Sequence, residues 1–276
     1  MKKKIGMICF TILICFLFVF SIVEANKKQN ILATSANVQY VNSSSELSNK
    51  KIGWGIKRAK DHMQPDLGSY NQSIIDQYKG ICMGNKEKKY VYLTFDEGYE
   101  AGYTDKILEV LKQNQVTATF FITAHYLNTQ PDLVKKMIDY GQIVGNHTVN
   151  HKSMPDLTEE QIKSEVMNLH TAMYDKFQYE MKYIRPPKGE FSQRTIAETN
   201  KLGYTTVMWS VAYDDWDEKH QKGEEYAKSK ILDNVHPGAV ILLHGNSKNN
   251  TDVLDYCIKE IKNMGYEFKS LDEFLR

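Results

Sequence analysis

Two histidines four residues apart, His147 and His151, are the part of this sequence with the clearest capacity for chemistry. Neutral imidazole binds zinc and similar divalent ions well, and a helical turn between the two residues would direct both rings at one ion. Two surface histidines, or one core and one exposed histidine, would fit the same spacing. A carboxylate brought from elsewhere would complete three protein ligands with open coordination positions, which is the pattern of a catalytic metal site.

Other side chains that could move protons end or follow short apolar runs elsewhere in the chain. Asp96 and Glu97 follow the first run, Arg185 ends the fourth, Asp215 follows the fifth and His244 follows the sixth. Each is a common surface residue when taken alone. If the runs are parallel strands, however, their carboxyl ends share one face of the sheet, and these side chains would meet there.

Seven apolar runs of strand length alternate with amphipathic segments from residue 90 onward, without an internal repeat. Alternation of strand and helix predicts an α/β fold with a parallel sheet covered by helices, and about seven units predict a closed or nearly closed (β/α) barrel. An open doubly wound sheet is the alternative. The predicted strands are residues 90–95, 118–123, 142–145, 183–185, 205–210, 239–243 and 266–269.

Two of the intervening segments carry apolar residues every three or four positions, which predicts helices that pack on the sheet. Thr158 and Gln161 form a capping box at the start of the first, and Gly265 ends the second. The apolar stripes are Ile162, Val166, Leu169, Met173 and Phe177, and then Val253, Leu254, Cys257, Ile258 and Ile261.

Three lysines and an uninterrupted apolar run over residues 5–23 open the chain and predict an export signal. Small residues would allow cleavage after Ala25, whereas a run of this length could also remain as a membrane anchor. Either outcome places the rest of the chain outside the cytoplasm. The predicted parts are a signal peptide or membrane anchor (1–25), a flexible spacer (26–50), an N-terminal extension packing on the barrel (51–87) and a catalytic domain (88–276).

Charge and cysteine content narrow the possible partners. Without residues 1–25 the chain loses three of its 35 basic and one of its 34 acidic residues, and its net charge becomes −1. Such a near-neutral domain gives no indication of nucleic acid as a partner. Only Cys82 and Cys257 then remain, and Cys257 lies on an apolar helix stripe, so free buried thiols are favoured over a disulfide.

In their order and placement, the polar residues at the predicted strand ends resemble the polysaccharide deacetylases, carbohydrate esterase family 4 with the NodB homology domain. The resemblance covers roughly residues 85–275 and implies a distorted barrel of about seven parallel strands. Five motifs of the family have a counterpart here. The family's T-F-D-D-G corresponds to residues 94–98, which read T-F-D-E-G, and its H-S/T-x-x-H corresponds to residues 147–151. The other three are Arg-Pro at Arg185, Asp-Trp at Asp215 and Trp216, and Leu-His at Leu243 and His244.

Residues 95–104, 185–187 and 209–212, with 54–57 upstream, resemble one branch more closely, the spore-cortex peptidoglycan deacetylases that form muramic δ-lactam. This likeness implies hydrolysis of the N-acetyl group of N-acetylmuramic acid in peptidoglycan strands. Ala212 replaces the aspartate that opens the usual D-x-x-D-W element, which favours muramic acid over glucosamine. We expect a monomer at the cell wall or membrane, with the forespore intermembrane space as one candidate location.

The resemblance also implies a proton-transfer role for four residues. Asp96 would take a proton from the attacking water, and His244 would give one to the leaving amine. Arg185 would keep Asp96 ionised, and Asp215 would favour protonated His244.

The same resemblance implies a divalent metal, zinc or cobalt, held by Glu97, His147 and His151. The metal and backbone N–H groups after Pro187 would stabilise the oxyanion. Glu97 stands where the family has the shorter aspartate, which puts its ligand role in doubt. The expected contacts with the sugar are Pro187, Tyr213 and Trp216.

Three other functions stay open at this point. The first is a deacetylase of N-acetylglucosamine in peptidoglycan or another polysaccharide. The second is a glycosidase, which would use two carboxylates and need no histidine pair. The third is a non-catalytic module that binds the cell wall.

Overall fold

The computed structural model describes residues 47–274. The predicted export signal and most of the predicted spacer therefore lie outside the described residues. Strand β2 (Tyr90–Glu97) lies between β3 (Thr119–Ile122) and β8 (Ala239–His244). Every residue of β2 after Tyr90 is buried, because helices cover the outer face of the curled sheet and side chains from the other strands fill its inner face. Burial on both faces explains its nearly continuous apolar sequence.

Four further strands complete the main sheet: β4 (Ile143–Asn146), β5 (Tyr183–Ile184), β7 (Thr205–Thr206) and β9 (Glu267–Phe268). The strand order is β7-β5-β4-β3-β2-β8, with β9 beside the start of β2. All of these pairings are parallel. The seven predicted strands are thus confirmed, although β2 continues two residues beyond its predicted end at Phe95.

The sheet curls until the segment after β7 reaches β8. Val211 forms a parallel bridge with Ile241. The Ser210 N–H donates to the Val240 carbonyl at 2.9 Å, and the Leu242 N–H donates to the Val211 carbonyl at 2.9 Å. The barrel prediction is therefore confirmed in its distorted form, and the open doubly wound sheet is excluded.

Helices cover the barrel and follow the predicted apolar stripes. Thr158 and Gln161 form the predicted capping box, and Gly265, with φ +82°, follows the end of the last long helix. No helix between residues 47 and 274 is long and apolar enough to cross a membrane. Cys82 and Cys257 are both buried, and they form no disulfide with each other. The helices are α1 (Ser69–Gln77), α2 (Thr104–Asn114), α3 (Ala124–Thr129), α4 (Pro131–Asp139), α5 (Glu159–Phe177), α6 (Gln193–Lys201), α7 (Glu224–Leu232) and α8 (Lys248–Asn263).

The segment before the barrel forms a second, small sheet with a turn of the barrel itself. Strand β1 (Ile52–Gly53) pairs antiparallel with β6 (Glu190–Phe191). The Trp54 backbone N–H donates to the Gly189 carbonyl at 2.9 Å, and its Nε1 donates to the Trp209 carbonyl at 2.8 Å. These two-residue strands were not predicted, because they are too short to show alternation.

Candidate active site

The carboxyl ends of β2, β4 and β8 open into one cavity of about 1110 Å³. Asp96, His147, His151 and His244 all line it. Asp96 and His244 are register partners on neighbouring parallel strands, so the sheet itself sets them side by side. The structure thus brings the candidate base, the candidate acid and the histidine pair together from three separate stretches of sequence.

Asp96 is held by a guanidinium group that is itself completely buried. Arg185 Nη1 donates to Asp96 Oδ1 at 2.7 Å, and Nη2 donates to Thr94 Oγ1 at 2.8 Å. Burial alone would raise the pKa of Asp96, but the Arg185 charge and two nearby histidines outweigh it and hold this pKa below its usual value. Asp96 is therefore ionised at neutral pH, with Oδ2 left free of the guanidinium.

His244 is paired with a carboxylate, whereas Asp96 is paired with a cation. Its Nδ1 lies 2.8 Å from Asp215 Oδ1, and its backbone N–H donates to Asp215 Oδ2 at 2.8 Å. Burial lowers the pKa of His244, but the charge and hydrogen bond of Asp215 outweigh this effect and raise the pKa above its usual value. Since Nδ1–H is engaged by Asp215, Nε2–H is the ring proton that remains for transfer.

His147 lies buried just after β4 in a defined tautomer. Its Nδ1 is 2.9 Å from the Arg185 carbonyl oxygen, which can only accept, so Nδ1 carries the hydrogen and Nε2 the lone pair. Nε2 lies 3.5 Å from Asp96 Oδ2, which is an ion-pair distance. Burial nevertheless holds the pKa of His147 below its usual value, so the ring is neutral at neutral pH. A lone pair and a carboxylate oxygen therefore face each other across a gap that favours a cation.

His151 is brought beside His147 by a loop, and not by the helical turn that was expected. Thr148 and His151 have φ values of +68° and +54°, a region that residues other than glycine rarely occupy. The His151 N–H donates to Thr148 Oγ1 at 3.1 Å, and the Thr148 N–H donates to Asn146 Oδ1 at 2.8 Å. The two imidazole rings meet edge to face, with centroids 4.7 Å apart. Burial, and then the neighbouring His147, lower the pKa of His151 to about 4.

These donors fit a divalent metal by their chemistry. Two neutral imidazoles beside the Asp96 carboxylate are ligands that zinc and cobalt accept. The bond from His147 Nδ1–H to a carbonyl is typical of metal-binding histidines, because it fixes the tautomer that offers Nε2. Between residues 47 and 274, no three or more His, Cys, Asp or Glu side chains lie together in an arrangement that could hold a metal ion as they stand. The fit therefore rests on donor type and on the direction of Nε2.

The structure places Glu97, predicted as a metal ligand, outside the cavity that the two histidines line. Successive side chains of a strand point to opposite faces, and β2 continues through Glu97, so Asp96 lines the cavity and Glu97 does not. Glu97 is 1 % exposed and accepts a hydrogen bond from Thr104 Oγ1 at 3.4 Å. Its Oε1 lies so close to Gly245 that a Cβ there would be 1.9 Å away. Burial, and then nearby Glu100, raise its pKa well above the usual value.

The turn Pro187–Gly189 presents Lys188 to the cavity. Pro187, an expected contact with the sugar, is buried and does not line the cavity, whereas its neighbour Lys188 does. Lys188 has φ +60°, and within residues 47–274 its backbone N–H donates to no protein group. That N–H is therefore not engaged by the protein, at the position for which the resemblance implies a role in binding the oxyanion.

Two aromatic side chains at the mouth of the cavity are exposed, Trp216 by 60 % and Tyr99 by 47 %. Asn246 Nδ2 donates to the Tyr99 hydroxyl at 2.9 Å and to the Trp216 carbonyl at 3.1 Å, which links the two. Tyr213 also lines the cavity, but its hydroxyl is engaged by Asn250. Sequence reasoning placed Trp216 here and missed Tyr99 and Asn246, for which the only signal was proximity to a strand end.

Comparison with known proteins places this geometry in context. Residues 83–207 match the family model described as polysaccharide deacetylase. The peptidoglycan-N-acetylmuramic acid deacetylase PdaA of Bacillus subtilis is 44% identical over 228 residues, covering 82% of this chain and 87% of that protein. The solved structure of PdaA, a family 4 carbohydrate esterase, matches with a TM-score of 0.80 and covers 83% of this chain and 98% of that chain.

Two further relatives differ in substrate or in activity. A peptidoglycan-N-acetylglucosamine deacetylase of Bacillus cereus is 32% identical over 213 residues, covering 75% of this chain and 76% of that protein. The solved structure of a CE4 family pseudoenzyme from Bacillus anthracis is 28% identical, with a TM-score of 0.66, and covers 71% of this chain and 69% of that chain.

Proposed function

The chain belongs to the polysaccharide deacetylase family, and from this premise we propose that it hydrolyses the N-acetyl group of N-acetylmuramic acid in peptidoglycan strands. The observation that carries the proposal is a pair of oppositely tuned groups in one cavity: Asp96, whose ionised form is favoured, and His244, whose protonated form is favoured. Amide hydrolysis needs both, because the attacking water must lose a proton while the departing nitrogen must gain one.

Each group has one atom free for its task. Asp96 Oδ2 accepts the proton of the water, since Arg185 occupies Oδ1. The backbone N–H of Lys188 donates to the carbonyl oxygen as negative charge develops on it. His244 Nε2–H then protonates the leaving nitrogen, while Asp215 holds the imidazole in position through Nδ1.

His147 and His151 would hold a divalent ion, zinc or cobalt, beside the Asp96 carboxylate. When bound, such an ion polarises the acetamide carbonyl and makes the attacking water more acidic. Treatment with a chelator should abolish acetate release, and added zinc or cobalt should restore it. Full acetate release after chelation would overturn metal dependence, whereas chelator-resistant formation of new reducing ends without acetate would favour a glycosidase.

Lys188 favours muramic acid over glucosamine as the substrate. Muramic acid carries a lactyl carboxyl group on the oxygen beside its N-acetyl group, and Lys188 is the only lysine or arginine that lines the cavity within the described chain. The carboxylates of Asp156 and Glu190 pair with Lys51, at 2.6 Å and 3.5 Å, and not with Lys188. Lys188 itself forms no ion pair within residues 47–274, so its ammonium group is available to the lactyl carboxylate.

Mass spectrometry of peptidoglycan strands treated with the protein tests the proposal. Loss of one acetyl group from muramic acid supports it, whereas loss from glucosamine alone refutes the substrate. New reducing ends without acetate would indicate a glycosidase. Binding without acetate release would indicate a non-catalytic module.

Lys188→Gln tests the substrate preference. We expect KM for strands with a free lactyl carboxyl group to rise about tenfold, since a hydrogen bond to a charged group contributes about 1.5 kcal/mol. KM for N-acetylglucosamine oligomers should stay unchanged. Lys86→Gln, which removes an exposed charge outside the cavity lining, is the matched control. An equal rise for both substrates would assign Lys188 a general role.

The proposed substrate also implies action outside the cytoplasm, in agreement with the apolar run over residues 5–23. Retention at the membrane, a role in the spore cortex and closure of the muramic δ-lactam stay predictions from the sequence. Export is tested by locating the protein after cell fractionation, where recovery in the cytoplasm alone would contradict it.

A further inference from the structure

The loop that carries His151 has a backbone conformation that its own residues do not favour. Thr148 and His151 are both left-handed, and such residues persist only where their surroundings enforce the conformation. Hydrogen bonds within the loop engage the N–H groups of these two residues. The N–H groups of Val149 and Asn150, which lie between them, need acceptors from elsewhere.

Glu165 on helix α5 supplies those acceptors. Its backbone carbonyl accepts from the Val149 N–H at 3.0 Å. Its side chain accepts from the Asn150 N–H at 2.7 Å through Oε2 and from Asn150 Nδ2 at 2.8 Å through Oε1. The side chain is only 7% exposed, so water cannot readily replace these bonds. One residue thus holds the centre of the loop at three points.

Helix packing does not account for a carboxyl group at this position. Ile162, Val166 and Leu169, its neighbours on the buried face of α5, are all fully buried apolar residues. A polar group buried among them costs free energy unless it is hydrogen-bonded. Its bonds to Asn150, with Lys152 Nζ at 3.5 Å as the nearest cation, explain how Glu165 is tolerated there.

We propose that Glu165 is a positioning residue that sets His151 at its working distance from His147. His147 is fixed independently, by the end of β4 and by the Arg185 carbonyl. The His151 ring makes no hydrogen bond within residues 47–274, so its direction follows from the backbone that Glu165 holds. This inference rests on the proposed function, in which the two imidazoles bind a divalent ion.

Co²⁺ binding to the full chain, followed by visible absorption, tests the proposal in the variant Glu165→Gln. Glutamine keeps the size of the side chain but turns one acceptor toward Asn150 into a donor. We expect Co²⁺ to bind about 10- to 100-fold more weakly, as when other outer partners of metal ligands are lost, with a changed spectrum. Glu160→Gln, on an exposed position of the same helix, is the matched control and should bind like the parent.

Thermal unfolding of the same samples separates positioning from plain stability. A Glu165→Gln variant that unfolds at a lower temperature but keeps the parent affinity for Co²⁺ overturns the proposal. In a His151→Ala background, Glu165→Gln should weaken Co²⁺ binding no further, and an undiminished additional loss also overturns it.

Asn150→Ala is the second variant if Glu165→Gln does not fold. It removes only the bond from Nδ2 and changes an exposed residue, so a smaller weakening of Co²⁺ binding is expected and an unchanged affinity overturns the proposal. Acetate release from muramic acid by the parent is measured in parallel. If release persists while the Co²⁺ predictions fail, only the role of Glu165 is lost; if the parent releases no acetate, the proposed function fails first.

Discussion

Asp96 and His244 occupy matching positions on neighbouring parallel strands, yet their surroundings drive them to opposite charge states. Asp96 is buried and His244 is partly buried, and burial opposes the charge on each. Asp96 faces the fully buried Arg185, whereas His244 is bonded twice to Asp215, which is only 2 % exposed. The buried partner, and not the position on the strand, therefore decides which group is the base and which is the acid.

Loss of the base, Asp96, should have the largest effect on activity. Asp96→Asn keeps the size of the side chain but cannot accept the proton from water, so acetate release should fall by about 10²- to 10⁴-fold. Acetate is measured with muramic acid strands, and thermal unfolding serves as the control for folding. Unchanged release would falsify the assignment.

Removing the partner of Asp96 should act on stability as well as on activity. Arg185→Met leaves a buried carboxylate without its cation, which should lower the free energy of unfolding by about 3–5 kcal/mol at neutral pH. The lowered pKa of Asp96 gives stability that is present above its unfolded value of about 3.9 and is lost as pH falls through the folded value. Chemical denaturation should thus show a gap between parent and variant that narrows in acid. A gap independent of pH would contradict this account.

Removing Asp215, the partner of His244, should shift the alkaline limb of the pH profile of kcat. The pKa of His244 is raised, so the protonated acid is present below that pKa and disappears as pH rises through it. Asp215→Asn lowers this pKa, and the alkaline limb of kcat should move to lower pH. Activity above the new pKa should fall about tenfold for each further pH unit. An alkaline limb that stays in place would assign it to another group.

Among the described residues, Glu97 forms no ion pair like those of Asp96 with Arg185 and of His244 with Asp215. Its replacement should therefore have the smallest effect on stability and metal binding. Burial already favours its neutral form, so Glu97→Gln replaces a group of similar shape without removing a charge. We expect the free energy of unfolding to change by less than about 1 kcal/mol and Co²⁺ affinity to stay at the parent level. A large loss of Co²⁺ affinity would show that Glu97 does reach the histidines.

The parts of the site that sequence patterns predicted are those that depend on strand order. Asp96, His147 and His244 each lie within one residue of the end of a parallel strand, and such ends meet on one face whatever their exact bounds. The direction of Glu97 depended instead on whether β2 stops at Phe95 or continues. One residue of additional strand turns a side chain to the other face, and no sequence pattern resolves a strand end that finely.

The sequence also did not predict contacts between turns that lie far apart in the chain. Lys188 reaches the cavity because of a left-handed turn, and Tyr99 meets Trp216 through Asn246, which lies far along the chain. Glu165 looked like one polar residue on an amphipathic helix, and its partner Asn150 lies 15 positions earlier. Side-chain contacts of this kind follow from packing and carry no periodic signal.

The sequence by itself determined the alternation of strand and helix, the reactive residues at the strand ends and the family that these residues resemble. Local periodicity and residue chemistry are sufficient for that, because they do not depend on distant contacts. Only the tertiary structure decided which carboxyl group faces the histidines, how the His147 and His151 rings meet without a helical turn, and which buried partners set Asp96 and His244. Those outcomes depend on burial and on distances of a few ångströms between elements far apart in the chain, where charge interactions become strong enough to select a protonation state.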